Sequence, residues 1–102
     1  MIEPMARFGL HGSLVAQRGQ RDALLAHMLQ AARLMQDATG CELYLVSTSE
    51  IDDDVIWITE VWRSEDDHDA SLLLSGVPEL IGRARPLIAG MGESQRLKVR
   101  GG

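Results

Sequence analysis

The sequence predicts an α+β fold with four strands and two helical regions, and three observations lead to this prediction. Four segments alternate between apolar and polar residues, or are rich in β-branched and aromatic residues, as strands are. Two regions carry apolar residues at helical spacing, one after the first strand and one after the third. The length of 102 residues, with 45% hydrophobic and 25% charged residues, suits a single folded domain over residues 1–102.

The first strand and the first helix are predicted between residues 6 and 38. From residue 6 to residue 15 the polarity alternates, which predicts a strand with two distinct faces. One face carries Phe8, Leu10 and Leu14, and the other carries Arg7, His11 and Ser13. From residue 20 to residue 38 the apolar residues follow a helical period, and Gly40 is a typical helix stop.

The second and third strands are predicted to form a hairpin. Residues 41–48 and 55–63 are rich in β-branched and aromatic side chains, whereas the connection between them is mostly polar. In the third strand the side chains that point to one face are Val55, Trp57 and Val61, and those that point to the other are Ile56, Ile58 and Trp62. Both faces of this strand are therefore apolar.

A second helical region and a fourth strand complete the predicted fold. Ser64 is a typical N-cap, and the three acidic residues that follow it favour a helix start. A break at residues 76–78 divides this region into two helices. The alternation from Glu93 to Arg100 predicts the last strand.

The order strand, helix, strand, strand, helix, strand is that of a ferredoxin-like split β-α-β sandwich. In such a two-layer fold the helices cover one face of the sheet, and the other face is ordinarily polar. Because the third strand is apolar on both faces, we expect a second copy of the sheet to cover the bare one. The sequence therefore predicts a homodimer that forms a dimeric α+β barrel.

Charge and composition exclude several classes of partner. A net charge of -5 and a pI of about 5.0 oppose a nucleic-acid partner, which needs concentrated basic residues. The chain has no apolar run of the roughly 20 residues that cross a bilayer and does not begin with a signal peptide, so we expect no membrane partner and a cytoplasmic location. Cys41 is the only cysteine, which fits a reducing compartment and gives no metal-ligand pattern.

Glu60 is the charged member of the apolar row that it shares with Ile58 and Trp62. A carboxyl group at such a position must be paired, protonated or used in chemistry. One interpretation is a buried ion pair with an arginine such as Arg83 or Arg85, and the other is a catalytic carboxylate. The two are compatible, because a carboxylate paired with an arginine can also orient a substrate hydroxyl.

Two histidines are candidates for a role in a site. His68, near the start of the second helical region, could accept a proton near neutral pH, although an Asp-Asp-His-Asp string is also typical of a solvated helix face. His11 points away from the apolar face of the first strand, either toward a pocket or toward a partner subunit.

Several large side chains could contact an aromatic ligand or pack in the core. Trp62, Trp57 and Tyr44 could stack on an aromatic ring, and as core or dimer contacts they would need no ligand. The methionines that could line an adaptable pocket, or fill gaps in the core, are Met5, Met28, Met35 and Met91.

Two segments carry a resemblance to a known family. They are TEVWRSEDDHDASL, from Thr59 to Leu72, and GRARPLIAG, from Gly82 to Gly90, which leads into the last strand. Together with the element order, they resemble the antibiotic biosynthesis monooxygenase domains, a group of dimeric α+β barrels that includes quinol monooxygenase-like proteins. Glu60 and Trp62 match the Glu-x-Trp pair that commonly ends the third strand in that family.

The resemblance implies oxygenation of a phenolic or quinol substrate in a pocket between sheet and helices, without metal, haem or flavin. The sequence departs from the family at Ser71, where a histidine is often found. The related haem-degrading branch uses an Asn on the first strand and a Trp and a His around the second helix. This chain has no Asn and no Trp beyond Trp62, which disfavours haem oxygenation.

The functional hypothesis from the sequence is a cofactor-independent monooxygenase that acts on a small aromatic or quinol-like molecule and molecular oxygen. His68 or Glu60 handles the proton in this hypothesis. The residues assigned to the substrate pocket are Trp62, Tyr44, His11, Trp57 and Arg83. The alternative is a non-catalytic dimeric module that binds a small ligand or serves a structural purpose.

Overall fold

Four strands and three helices make up the fold of residues 6–102, the part of the chain that the computed structural model describes. In chain order they are β1 (Arg7–Ala16), α1 (Arg21–Met35), β2 (Cys41–Thr48), β3 (Val55–Trp62), α2 (Glu65–Ser71), α3 (Val77–Ala84) and β4 (Ile88–Val99). A short 3-10 turn, Arg85–Leu87, joins α3 to β4. The predicted element order is confirmed, with the second helical region divided into α2 and α3.

The four strands form one antiparallel sheet in the order β2-β3-β1-β4. This is the strand order of the ferredoxin-like fold, so the predicted fold class is confirmed. The strand β1 lies between β3 and β4, and its Leu10 pairs with both Glu60 and Arg96. None of the helices in residues 6–102 is long and apolar enough to cross a membrane.

The strand β4 begins at Ile88, earlier than the predicted start at Glu93. Glycines on both sides of Met91 weaken the strand signal in the sequence, but pairing of this stretch with β1 forms the ladder nonetheless. At Gly92 the Ser13 hydroxyl lies where a Cβ would stand, so a larger residue at position 92 would require the Ser13 side chain to move. Tertiary pairing therefore decides the structure here rather than intrinsic preference.

The helices pack on one face of the sheet and form two hydrophobic clusters with it. One cluster consists of Phe8, Met35, Ala38, Trp62 and Val77. The other consists of Ala16, Leu24, Ile56, Ile58 and Ala84. Tyr44 of β2 packs against both clusters, so it lies at the junction between them.

The opposite face of the sheet is not covered by any helix of the described chain. Its leucines remain accessible, with Leu43 37%, Leu45 50% and Leu97 43% exposed. Trp57 is half-buried on this face, where the His11 ring stacks on it with centroids 4.9 Å apart. The sheet thus has one packed face and one face with accessible apolar side chains that the described helices leave uncovered.

Candidate functional site

Two adjoining cavities lie between the sheet and the helices. The smaller one, of about 180 Å³, is lined by Leu10, Gly12, Ser13, Leu14, Met28, Tyr44, Ile58, Glu60, Met91 and Ser94. The larger one, of about 300 Å³, is lined by Leu14, Met28, Ala31, Met35, Tyr44, Leu72, Val77, Leu80, Ile81, Ala84, Arg85, Ile88 and Met91. The two cavities share four lining residues, so they form one apolar site with two compartments. The shared residues are Leu14, Met28, Tyr44 and Met91. The depression beside Arg18 and Asp53 is instead an open groove lined mainly by charged side chains.

Glu60 supplies the carboxyl group of this site. Glu60 is buried, with 9% of its surface exposed. The Trp62 Nε1 donates a hydrogen bond of 2.9 Å to the Glu60 Oε1. This contact forms because residues two apart on a strand share a face. Burial raises the pKa of Glu60 above its usual value, while the Trp62 hydrogen bond and nearby His68 oppose that rise. Glu60 is therefore a stronger base than an exposed glutamate.

The helix α2 holds His68 beside this carboxyl group. Ser64 acts as the predicted N-cap, since its Oγ accepts a hydrogen bond from the Asp67 backbone N–H over 3.1 Å. The Asp67 side chain also fills the place that a Cβ on Gly40 would take, which fixes the start of α2 against the turn before β2. In the same turn, the Gly40 carbonyl oxygen accepts a hydrogen bond of 2.7 Å from the Arg63 backbone N–H. These contacts fix the position from which His68 reaches the sheet.

The His68 ring lies between aromatic side chains and two carboxylates. Its centroid is 5.3 Å from that of Phe8 and 5.8 Å from that of Trp62. Its Nδ1 is 3.0 Å from the Asp69 Oδ1, and its Nε2 is 4.0 Å from the Glu60 Oε1. When the ring is protonated on both nitrogens, Nδ1 donates to Asp69 and the positive charge at Nε2 faces Glu60, one short movement or one water away from it.

Tyr44 is the second polar group on the cavity wall. It pairs with Glu60 across the β2–β3 ladder, and both side chains face the helices. Burial, together with the charges of Glu60 and Cys41, raises the pKa of Tyr44 well above its usual value. The phenol therefore stays protonated, and no described residue accepts its hydrogen bond. It can donate that bond to a ligand.

The structure brings only some of the predicted site residues together. Tyr44 and Glu60 line the cavity and His68 approaches Glu60, whereas Trp62 is fully buried and only supports the carboxyl group. Trp57 and His11 lie on the opposite face, where the His11 Nδ1 is 2.9 Å from the Thr59 Oγ1.

Of the two interpretations of Glu60, the ion pair with Arg83 or Arg85 is wrong. Among the described residues the partners of Glu60 are Trp62 and His68, and no arginine reaches it. Arg83 is exposed on α3 and lines neither cavity, because the buried stripe of that helix runs through Val77, Leu80 and Ala84. A strand pattern shows which face a carboxyl group occupies, but not which helix residue lies above it.

Sequence reasoning missed some residues of the site. Ser94 lines the smaller cavity and Asp69 contacts the His68 ring. Arg96 pairs with Glu65 and lies over the Phe8 ring, 5.1 Å from its centroid. The alternation of β4 could have indicated that Ser94 and Arg96 face the helices. From the sequence this strand is predicted, but its side chains are not assigned to either face of the sheet. Of the methionines, Met28, Met35 and Met91 line the larger cavity, whereas Met5 lies outside the described residues.

This chain is similar to known proteins over most of its length. A family model described as antibiotic biosynthesis monooxygenase matches residues 7–73. A solved structure of a candidate antibiotic biosynthesis monooxygenase from Chloroflexus aurantiacus J-10-fl superposes with a TM-score of 0.88. It is 42% identical, over 95% of this chain and 96% of that chain. A search of curated proteins finds no match.

More distant structures share the fold alone. A candidate antibiotic biosynthesis monooxygenase from Caulobacter crescentus CB15 has a TM-score of 0.86 and 17% identity, over 96% of this chain and 93% of that chain. One from Deinococcus radiodurans has a TM-score of 0.80 and 24% identity, over 93% of this chain and 94% of that chain. The family model spans most of the chain and the Chloroflexus protein is similar over nearly its whole length, so this chain belongs to the antibiotic biosynthesis monooxygenase family.

Proposed function

We propose that this protein is a cofactor-independent monooxygenase that oxidises a small aromatic, phenolic or quinol-type substrate in the cavity between sheet and helices. One observation carries the proposal, namely that the buried carboxyl group of Glu60 faces an apolar cavity beside the protonated phenol of Tyr44. Family membership supports monooxygenase chemistry, and the cavity supports the substrate class.

The cavity suits an aromatic ring with a hydroxyl group. Its shared walls are Leu14, Met28, Tyr44 and Met91, so a ring would contact mainly aliphatic and thioether atoms. The larger compartment, of about 300 Å³, lies at the lower end of the size range of small-molecule sites. A substrate oxygen near Glu60 could accept a hydrogen bond from the Tyr44 hydroxyl and donate one to the carboxylate.

Glu60 acts as the proton acceptor in the proposed reaction. Trp62 and His68 favour its ionised form before the reaction, while burial favours the neutral form that results when it takes a proton from the substrate. The same desolvation that raises the pKa of Glu60 thus drives proton transfer. The substrate anion that forms is held beside Tyr44 in an apolar site.

Oxygen then reacts with the electron-rich anion. The anion gives one electron to molecular oxygen, and the resulting superoxide and substrate radical combine to form a carbon–oxygen bond. The peroxide takes back the proton held by Glu60, and loss of water leaves a carbonyl group. For a hydroquinone the sum is hydroquinone plus O₂ giving hydroxyquinone plus water, so the substrate supplies both electrons that reduce the second oxygen atom.

Oxygen uptake with a panel of hydroquinones tests the proposal. Glu60→Gln keeps the shape of the site but removes the base, and we expect it to lower the rate by about 10²-fold or more. Glu79→Gln, on the exposed face of α3, is the matched control and should keep the wild-type rate. Equal rates for wild type and Glu60→Gln would refute the proposed role of the carboxyl group.

A non-catalytic binding module is the second candidate. The observation that favours it is the separation of 4.0 Å between the His68 Nε2 and the Glu60 Oε1, which is longer than a hydrogen bond and leaves no closed proton path between them. A module of this kind would bind the same phenols tightly in the same cavity. Wild-type protein that binds hydroquinones without consuming oxygen would support this candidate over the enzyme.

We also propose that two copies pair through the uncovered face of the sheet. The half-exposed leucines of β2 and β4 would be covered by the same face of a partner, in keeping with two-fold symmetry. Sedimentation at decreasing protein concentration tests this, and the expected result is a dimer that persists at low concentration. A stable monomer throughout would contradict it.

A further inference from the structure

Arg85 is the one charged residue on the wall of the larger cavity. The other lining side chains are apolar except for the Tyr44 phenol. Arg85 is itself exposed, as are Leu72, Ile81 and Met91 on the same wall, so these four residues form the mouth of the cavity. The charge therefore lies where an apolar compartment opens to solvent.

The guanidinium group of Arg85 has no protein partner among residues 6–102. It takes part in no ion pair or hydrogen bond there, whereas Arg7, Arg63 and Arg96 are each paired with a carboxylate. In a chain with a net charge of -5, an unpaired arginine beside an apolar cavity is an attractive place for an anion. Arginine can also bind a carboxylate through two parallel hydrogen bonds.

The two polar ends of the site line different compartments. Glu60 lines the smaller cavity and not the larger, whereas Arg85 lines the larger and not the smaller. The two compartments adjoin at Leu14, Met28, Tyr44 and Met91. A ligand that contacts both Glu60 and Arg85 must therefore extend from one compartment into the other.

We propose that the ligand of this cavity is an elongated phenolic compound with a carboxylate at the far end, its hydroxyl beside Glu60 and Tyr44 and its carboxylate on Arg85. This inference rests on the proposed function, because it names the substrate class of the same cavity. Apolar walls between the two polar ends hold the ring system, and Arg85 selects the acid over the neutral phenol.

Binding of two matched probes tests the inference. 4′-Hydroxybiphenyl-4-carboxylate and 4-hydroxybiphenyl share the phenol and both rings, and differ only in the far carboxylate. By calorimetry, we expect the wild-type protein to bind the carboxylate about tenfold more tightly, as a charge-assisted contact provides. Arg85→Gln should lose that preference and retain its affinity for the neutral phenol.

Arg83→Gln is the matched control. Arg83 is an exposed arginine in the last turn of α3, and it lines neither cavity. It should keep the wild-type preference for the carboxylate. Equal affinity of the wild type for both probes, binding of neither probe, or an unchanged preference in Arg85→Gln would each overturn the inference.

The inference and the proposed function fail in different ways. Oxygen uptake that depends on Glu60 but shows no preference for acidic substrates would overturn the inference and leave the monooxygenase intact. An Arg85-dependent preference for the carboxylate probe, with no oxygen uptake from any phenol, would support the inference and favour the binding module.

Discussion

The two faces of β3 differ in what surrounds them. On the face under the helices, Glu60 and Trp62 are joined by a hydrogen bond and enclosed by aromatic and aliphatic side chains. On the other face, the His11 ring stacks on Trp57 and its Nδ1 lies 2.9 Å from the Thr59 Oγ1, and both residues remain half-buried. One strand thus supplies both a buried site and an open surface. The alternation of a strand lets a short chain place a buried carboxyl group on one face and accessible apolar side chains on the other.

The largest expected difference between the faces is in stability. Trp62→Ala removes a fully buried indole and the donor to Glu60, so we expect it to lower the free energy of unfolding by about 3–5 kcal/mol. Trp57→Ala on the open face should cost under about 2 kcal/mol, measured by urea unfolding followed by circular dichroism. The loss of unfolding free energy in Trp57→Ala should also become smaller as the protein is diluted, because part of this loss comes from the proposed dimer contact. Equal costs at both positions would contradict the distinction between the faces.

A charge placed on the open face tests whether that face is a dimer interface. Leu45→Glu puts a carboxylate on the half-exposed row of β2, and in a two-fold dimer each copy would bring one to the interface. We expect its dissociation constant to rise by about 30-fold or more, roughly 2 kcal/mol. Leu73→Glu, in the connection between α2 and α3, is the control, since Leu73 is 83% exposed on the helix side. Identical sedimentation of the two variants would refute the assignment of the interface.

The smallest expected effect is a pH dependence of stability from Glu60. Its pKa is raised in the folded protein, so between the unfolded and folded values the folded state binds more protons. The contribution of Glu60 to stability is therefore complete below the unfolded value and is lost as the pH rises through the folded one. Unfolding free energies of wild type and Glu60→Gln should be measured from about pH 4 to pH 8. As the pH rises, the wild type should lose stability relative to Glu60→Gln. A constant difference between them would exclude a raised pKa.

The fold was predictable because it depends on local periodicity. Alternation along β3 assigned Glu60 and Trp62 to one face, and the helical period identified α1 and the helical region after Ser64. The bounds of β2 were predicted as observed. The early start of β4 was missed, since its glycine-containing stretch is held in the sheet by pairing with β1.

The composition of the site was less predictable because it depends on how helices cross the sheet. The proximity of Trp62 to Glu60 could have been read from their spacing of two, whereas that of His68 depends on the docking of α2. The position of Arg85 at the cavity mouth, rather than Arg83, depends on where α3 ends and the following turn begins. Strand alternation contains no information on either point.

The proposed role of Glu60 as a buried base that contacts the ligand can be measured by carbon-13 NMR of protein labelled at the glutamate carboxyl groups, with Glu60→Gln identifying the resonance. We expect the Glu60 resonance to titrate above the ordinary glutamate range and to shift when a phenol binds, whereas the Glu79 resonance does not shift on binding. A Glu60 resonance that titrates like that of an exposed glutamate and does not respond to the phenol would rule out this role.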